Sequence, residues 1–137
     1  MFTPTLCYQN TKENINSITF VINSNVIQEI LLSIGIPPNI YGYSYISYAL
    51  ELILMDPDYI HAIMKEIYSG IADKYKTTPS RVERSMRHAI ATTWNNGNTE
   101  LIQKIFRNYI RSDKETPSNS IFLARLYYYI TNMENER

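Results

Sequence analysis

The chain has 137 residues, of which 45% are hydrophobic, and its 13 basic and 13 acidic side chains give a formal net charge of zero. This length and apolar content suit one domain with a core, and no apolar run approaches the roughly 18 residues of a membrane-spanning helix, which excludes an integral membrane protein. The first residues lack an export signal, and Cys7, the only cysteine, has no partner for an internal disulfide. We therefore expect a soluble, cytoplasmic protein.

Basic residues are concentrated in one segment of this neutral chain. Between Lys65 and Arg111, nine basic and four acidic side chains give a local charge of +5, and the rest of the chain carries −5. A basic surface can therefore exist on a neutral molecule, as nucleic-acid binding requires.

The first 23 residues are rich in asparagine and threonine and contain one β-like run at 18–22. They could form a flexible arm, an added strand or the remnant of a lost domain. We therefore assign residues 1–23 as an N-terminal extension of unknown role and residues 24–137 as one helical domain.

Three amphipathic helices are predicted between the extension and the basic segment. The first spans Val26–Ile34 and is stopped by Gly35 and two prolines that follow it. The second spans Tyr43–Met55. The third begins at Pro57, with Asp56 as its cap. Its inward side chains are Ile60, Ile63, Met64 and Ile67.

A helix-turn-helix is predicted next. Ile71, Ala72 and Tyr75 form an apolar stripe on a helix of about two turns, which ends at a break over Lys76 and Thr77. A short helix, a tight turn and a longer helix are the elements of this DNA-binding motif. We expect the two helices to cross closely at Ala72, where a larger side chain would separate them.

The longer helix is predicted to span Pro79–Trp94. Thr78 can cap its free amides and proline is tolerated at the first position, although Ser80 with Glu83 offers an alternative capping box. One stripe is apolar and needs a partner surface: Val82, Met86, Ala89, Ile90, Thr93 and Trp94. The opposite face is charged: Arg81, Arg84, Arg87 and His88, with Glu83 beside them.

The charged face of this helix suits nucleic acid. A guanidinium can bond guanine O6 and N7 together, a carboxylate can accept from the cytosine amino group, and a helix N-terminus favours phosphate. A solvated surface is the plainer interpretation, because charged faces of amphipathic helices usually face water. The pattern alone leaves both open.

Two further helices are predicted after the motif. Gly97 should end the long helix as a left-handed stop, and Asn98 can cap a helix at Thr99–Phe106. Ser118 or Asn119 opens the last helix. Basic residues that either touch flanking DNA or simply face water are Lys104, Arg107 and Arg111.

The central segment resembles the effector domain of Spo0A, the sporulation master regulator of endospore-forming bacteria. The similarity is strongest from Ile71 to Ile90, in Ser80-Arg-Val-Glu-Arg84 and Arg87-His-Ala89, and continues at Trp94-Asn-Asn-Gly-Asn98. A weaker similarity extends from about Val26 to Ile130.

The resemblance implies an all-α fold of about six helices around a helix-turn-helix, of the winged-helix-like, response-regulator effector type. In that family a phosphate-accepting receiver domain normally precedes the DNA-binding half, and this chain has no room for one. We therefore expect either an excised effector domain or a natural stand-alone protein.

The resemblance also implies which residues meet DNA. In that family the second helix of the motif reads a short element, the 0A box, which makes Glu83 and Arg84 the base-reading pair. The resemblance implies further contacts at Ser80, near a phosphate, and at Arg81, Arg87 and His88. From the turn we add Lys74 and Lys76 as backbone contacts.

Three partners are expected: duplex DNA with a 0A-box-like site, a second copy of the chain on tandem sites, and RNA polymerase. The family's effector domains contact each other through the region of the last helix. Here that helix carries Tyr127, Tyr128 and Tyr129, and at least one of them must point outward, where tyrosine is a favoured contact residue.

The alternative function is a protein-interaction or titration module that keeps the fold without regulating genes. Catalysis and cofactors are not expected. The sequence has no glycine-rich phosphate loop, and its two histidines and one cysteine form neither a nucleophile-base pair nor a ligand cluster. His61, which lies beside the apolar stripe of the third helix, has no second ligand at metal-binding spacing.

Overall fold

The computed structural model describes residues 24–107 and 116–135, and these ranges are almost entirely helical. Its α-helices are α1 at 24–34, α2 at Tyr41–Met55, α3 at Tyr68–Tyr75, α4 at Pro79–Asn96, α5 at Thr99–Phe106 and α6 at Asn119–Asn135. No strand occurs in the two described ranges, which confirms the all-α prediction. The β-like run at 18–22, Cys7 and Arg111 lie outside them.

The third predicted helix is not a separate α-helix. Asp56 caps it as expected, because its Oδ1 accepts from the amide of Asp58 at 3.1 Å. From there the chain forms a 3₁₀ helix at Pro57–Ala62 and a π-helix at Ile63–Ile67, and it runs on without a break into α3. The change of pitch follows Ala62, whose φ of −129° and ψ of 35° are not helical. The start predicted at Pro57 is therefore confirmed, but the segment is a 3₁₀ and a π-helix rather than an α-helix, and α3 has about the two turns predicted for it.

Helices α2 and α4 cross in close contact at the centre of the domain. A Cβ built on Gly42 would lie 2.4 Å from the carbonyl oxygen of Ser85 and 2.5 Å from the Cβ of Ala89. Position 42 therefore has no room for any side chain, and only glycine fits there. The apolar stripe predicted for α4 packs into this core: Trp94 is half-buried against it, and the others are at most 1% exposed, namely Val82, Met86, Ala89, Ile90 and Thr93.

The backbone at the end of α4 differs from the predicted conformation. Gly97 has φ of −85° and ψ of −169°, which is extended backbone, so the expected left-handed stop is wrong. A side chain is excluded there because a Cβ would lie 2.5 Å from the carbonyl oxygens of both Ile34 and Thr93. The amide of Asn98 donates to Ile34 O at 2.8 Å, which ties the end of α1 to the start of α5.

Helices α5 and α6 begin where their caps predict. The side-chain oxygen of Asn98 accepts from the amide of Leu101 at 3.2 Å, and that of Ser118 accepts from Ile121 at 3.3 Å. Phe106 stacks on Phe122 with ring centroids 5.2 Å apart, which packs α5 against α6. Within the described ranges no helix is both long and apolar enough to cross a membrane.

Candidate nucleic-acid interface

The helix-turn-helix consists of α3, the residues 76–78 and α4. Lys76 ends α3 in the left-handed conformation with φ of 55°, and the amide of Thr77 donates to Ala72 O at 2.9 Å. Thr78 is extended and its Oγ1 accepts from the amide of Arg81 at 3.3 Å, so α4 begins at Pro79. The cap predicted at Thr78 is confirmed, and the alternative capping box is not the start of the helix.

The charged face of α4 lies on the surface of the domain. Ser80, Arg84 and Arg87 follow one line along its outer side, and they span about 10 Å of helix axis. Arg81 and His88 lie on one flank, and Glu83 lies on the other. All of these side chains are exposed except that of Glu83, which is half-buried.

Arg84 occupies the middle of this face. Of the residues that the structure describes, none forms an ion pair with Arg84 or Arg81. Arg84 also borders three surface hollows, which lie on both sides of α4. Its guanidinium is therefore free to reach an incoming ligand from either flank.

Arg87 and Glu83 form an ion pair one turn apart on α4. The Nε of Arg87 lies 3.3 Å from Oε1 of Glu83, and its Nη2 donates to Oε2 at 3.5 Å. The side chain of Arg87 is 64% exposed, and exposed pairs of this kind are worth only about 0.3–0.5 kcal/mol. A ligand can separate this pair at little cost.

Asn119 connects the start of α6 to the helix-turn-helix. Its Nδ2 donates to the hydroxyl of Tyr68 at 2.9 Å and to the backbone carbonyl of Glu83 at 3.1 Å. Its side chain thus joins α6 to α3 and to the turn of α4 that carries Glu83. The sequence predicts Asn119 only as a possible helix start, because a contact with a residue 36 positions away leaves no local pattern.

The pKa of the Tyr68 phenol is raised above 10.0, mainly by burial. The hydrogen bond from Asn119 lowers this pKa, while the charges of Glu83 and Arg87 act on it in opposite directions. A neutral phenol therefore lies under the ion pair of α4.

A tyrosine cluster lies on the other flank of α4, and sequence reasoning did not find it. It consists of Tyr41, Tyr45, Tyr48 and Tyr75. Tyr75 was expected on the inward stripe of its helix, but it is 39% exposed and meets Tyr45 edge-on, with centroids 5.2 Å apart. The Nζ of Lys74 lies 4.0 Å above the ring of Tyr48, so this ammonium is held against α2.

The pKa of the Tyr75 phenol is raised, first by burial and then by the nearby groups of Glu51, Tyr45 and Tyr48. Lys76 is exposed at the turn beside the cluster.

Across the described part of the chain no group of three histidine, cysteine or acidic residues is placed to hold a metal ion.

The chain matches the model of a known protein family over most of its length. The model of the family described as "Sporulation initiation factor Spo0A C terminal" matches residues 27–130, which is well over half of the chain. This family consists of DNA-binding effector domains of transcription factors rather than of enzymes.

Proposed function

Since this chain belongs to the family of Spo0A C-terminal domains, we propose that it is a sequence-specific duplex-DNA-binding transcription regulator. The observation that carries this proposal is the exposed cationic face of α4. Arg84 lies at its centre and has no ion-pair partner among the described residues. A guanidinium that the protein does not neutralise is available for the phosphates and base edges of a duplex.

The proposed mode of binding places α4 in the major groove. The groove is about 12 Å wide and admits a helix, and Arg84 lies in the second turn of α4, the end that reaches bases in this motif. The guanidinium of Arg84 can donate hydrogen bonds to O6 and N7 of a guanine. The Glu83 carboxylate lies on the flank of α4 opposite Arg81 and His88. It can accept a hydrogen bond from the amino group of a cytosine once Arg87 leaves it for a phosphate.

The backbone contacts of this proposal surround the two base readers. Ser80 lies at the helix N-terminus, where hydroxyl and dipole both favour phosphate. The proposed backbone contacts on α4 and in the turn are Ser80, Arg81, Arg87, His88 and Lys76. Lys74 belongs to the same proposal, although it must leave the ring of Tyr48 to reach a phosphate.

The test is a titration of the full chain with a labelled 0A-box duplex and a scrambled duplex of the same composition, each at two salt concentrations. Arg84→Ala should weaken binding to the 0A box by roughly 1–3 kcal/mol and relax the preference at one base pair. Lys76→Ala should weaken both duplexes alike and lower the salt slope by about one.

Lys65 offers a matched control for these variants. It is an exposed cation in the π-helix, and it borders none of the three hollows beside α4. Lys65→Ala should bind as the unmodified chain does. If the unmodified chain binds both duplexes equally, or shows no dependence on salt, the protein is not a sequence-specific DNA binder and an interaction module replaces this proposal.

A second copy of the chain is proposed as a partner on tandem sites, with α6 as the contact. Tyr128 is 50% exposed and Ile121 is 39% exposed on α6, and exposed apolar and aromatic side chains are typical of contacts between proteins. DNA with two tandem boxes should then bind cooperatively. Tyr128→Ser should remove the cooperativity and leave binding to a single box intact. RNA polymerase remains a proposed partner, to be tested by transcription with purified components.

A further inference from the structure

We propose that the hollow between α4 and the tyrosine cluster is a second DNA-contact site, at which the hydroxyls of Tyr41 and Tyr75 donate hydrogen bonds to phosphate oxygens. The inference rests on the proposed function, because the strand that supplies these phosphates is the one beside α4 in the major groove. It extends the interface from α4 to residues of α2 and α3.

The position of the hollow makes it continuous with the recognition face. Arg81 and Arg84 form one wall, and Tyr41 and Tyr75 form the other. The close contact at Gly42 brings the start of α2 against the backbone of Ser85, so Tyr41 is next to the middle of the recognition helix. A DNA strand whose bases meet Arg84 must therefore pass its backbone along this side or the opposite side of α4.

The charges around the hollow favour a phosphate strand as its occupant. Lys76, Arg81 and Arg84 line it, and none of the eight lining residues is acidic. The positive charge of the hollow thus complements an acidic or phosphate-bearing chain. The duplex proposed to bind α4 would bring such a chain, its phosphate backbone, directly beside the hollow. Tyrosine hydroxyls are regular donors to DNA phosphates.

The two hydroxyls are available and their rings are already positioned. Tyr41 is 76% exposed, and among the described residues no protein atom accepts a hydrogen bond from Tyr41 or Tyr75. Tyr41 stacks on the buried Tyr45 with centroids 6.2 Å apart and an interplanar angle of 17°, while Tyr75 meets the same ring edge-on. Rings held in this way lose less side-chain freedom on binding.

The test removes only the hydroxyls. Tyr41→Phe, Tyr75→Phe and the double variant are titrated with the 0A-box duplex and the scrambled duplex at two salt concentrations. Each single change should weaken binding to both duplexes by roughly ten- to a hundredfold, the usual effect of losing one hydrogen bond to a charged group. The preference between duplexes and the salt slope should stay as in the unmodified chain, because no charge and no base contact is lost.

Tyr59 in the 3₁₀ helix is the matched control, since it is a half-buried tyrosine that borders none of the three hollows beside α4. Tyr59→Phe should bind both duplexes as the unmodified chain does. The inference is overturned if the double variant binds both duplexes unchanged while Arg84→Ala still loses its preference. It is also overturned if the tyrosine variants alter only self-association in sedimentation, since the hollow then contacts a second copy. A chain that binds neither duplex refutes the proposed function, and this inference with it.

Discussion

Replacing Gly42 by alanine should destabilise the domain, because the added methyl group lies where α2 crosses α4. The new Cβ would be 2.4 Å from Ser85 O, whereas ordinary contacts begin near 3.4 Å, so the two helices must separate by about 1 Å. The obstructing oxygen is backbone and cannot rotate away. Such overpacking costs about 1–3 kcal/mol, and the helix preference of alanine offsets up to about 1 kcal/mol of it.

The expected net loss for Gly42→Ala is about 1–2 kcal/mol, or a fall of roughly 4–8 °C in Tm. Urea and thermal unfolding followed by circular dichroism would measure it. Gly70→Ala is the matched control, because its Cβ would meet only Leu52 Cδ1 at 3.9 Å. That change should stabilise the domain by about 0.5–1 kcal/mol. Equal effects of the two substitutions would refute the close crossing of α2 and α4.

Three further predictions concern single side chains. Lys76→Gly should stabilise the domain by about 0.5–1 kcal/mol in urea unfolding, because glycine removes the strain of a left-handed lysine, yet it should lower the salt slope of DNA binding by about one. Glu83→Gln should change stability by less than about 0.5 kcal/mol, since it breaks only the exposed pair with Arg87, but it should alter base preference in the duplex titration. Tyr68→Phe should cost about 1–3 kcal/mol in urea unfolding, because one N–H of the buried Asn119 loses its acceptor. Because the pKa of Tyr68 is raised in the folded state, its contribution to the free energy of unfolding is fully present below pH 10 and is lost as the pH rises through the raised value. The stability of Tyr68→Phe should therefore fall less steeply in alkali than that of the unmodified chain.

Local sequence signals predicted the parts of the fold that depend on nearby residues. Thr78 and Pro79 marked the start of α4, because a cap and a fixed φ act within one turn. The three- and four-residue spacing of Val82, Met86 and Ala89 showed which face of α4 is buried, because helical periodicity alone determines that face. The exposure of Arg84 followed from the same periodicity.

Contacts between distant segments were not predicted. The change of pitch at Ala62 leaves no local sequence signal, and Gly97 is required by an oxygen of α1, more than sixty residues earlier in the chain. The tyrosine cluster was missed because Tyr75 fits the apolar stripe of its own helix, and only the position of α2 determines how far Tyr45 covers its ring. These features depend on how helices cross, which periodicity does not specify.

The side-chain amide of Asn119 has a mechanical consequence. A displacement of α6 would be transmitted by one hydrogen bond of this nitrogen to the backbone carbonyl of Glu83 in α4, and by the other to the hydroxyl of Tyr68 in α3. A partner that binds α6 would therefore act directly on the turn of α4 that carries the Glu83 carboxylate.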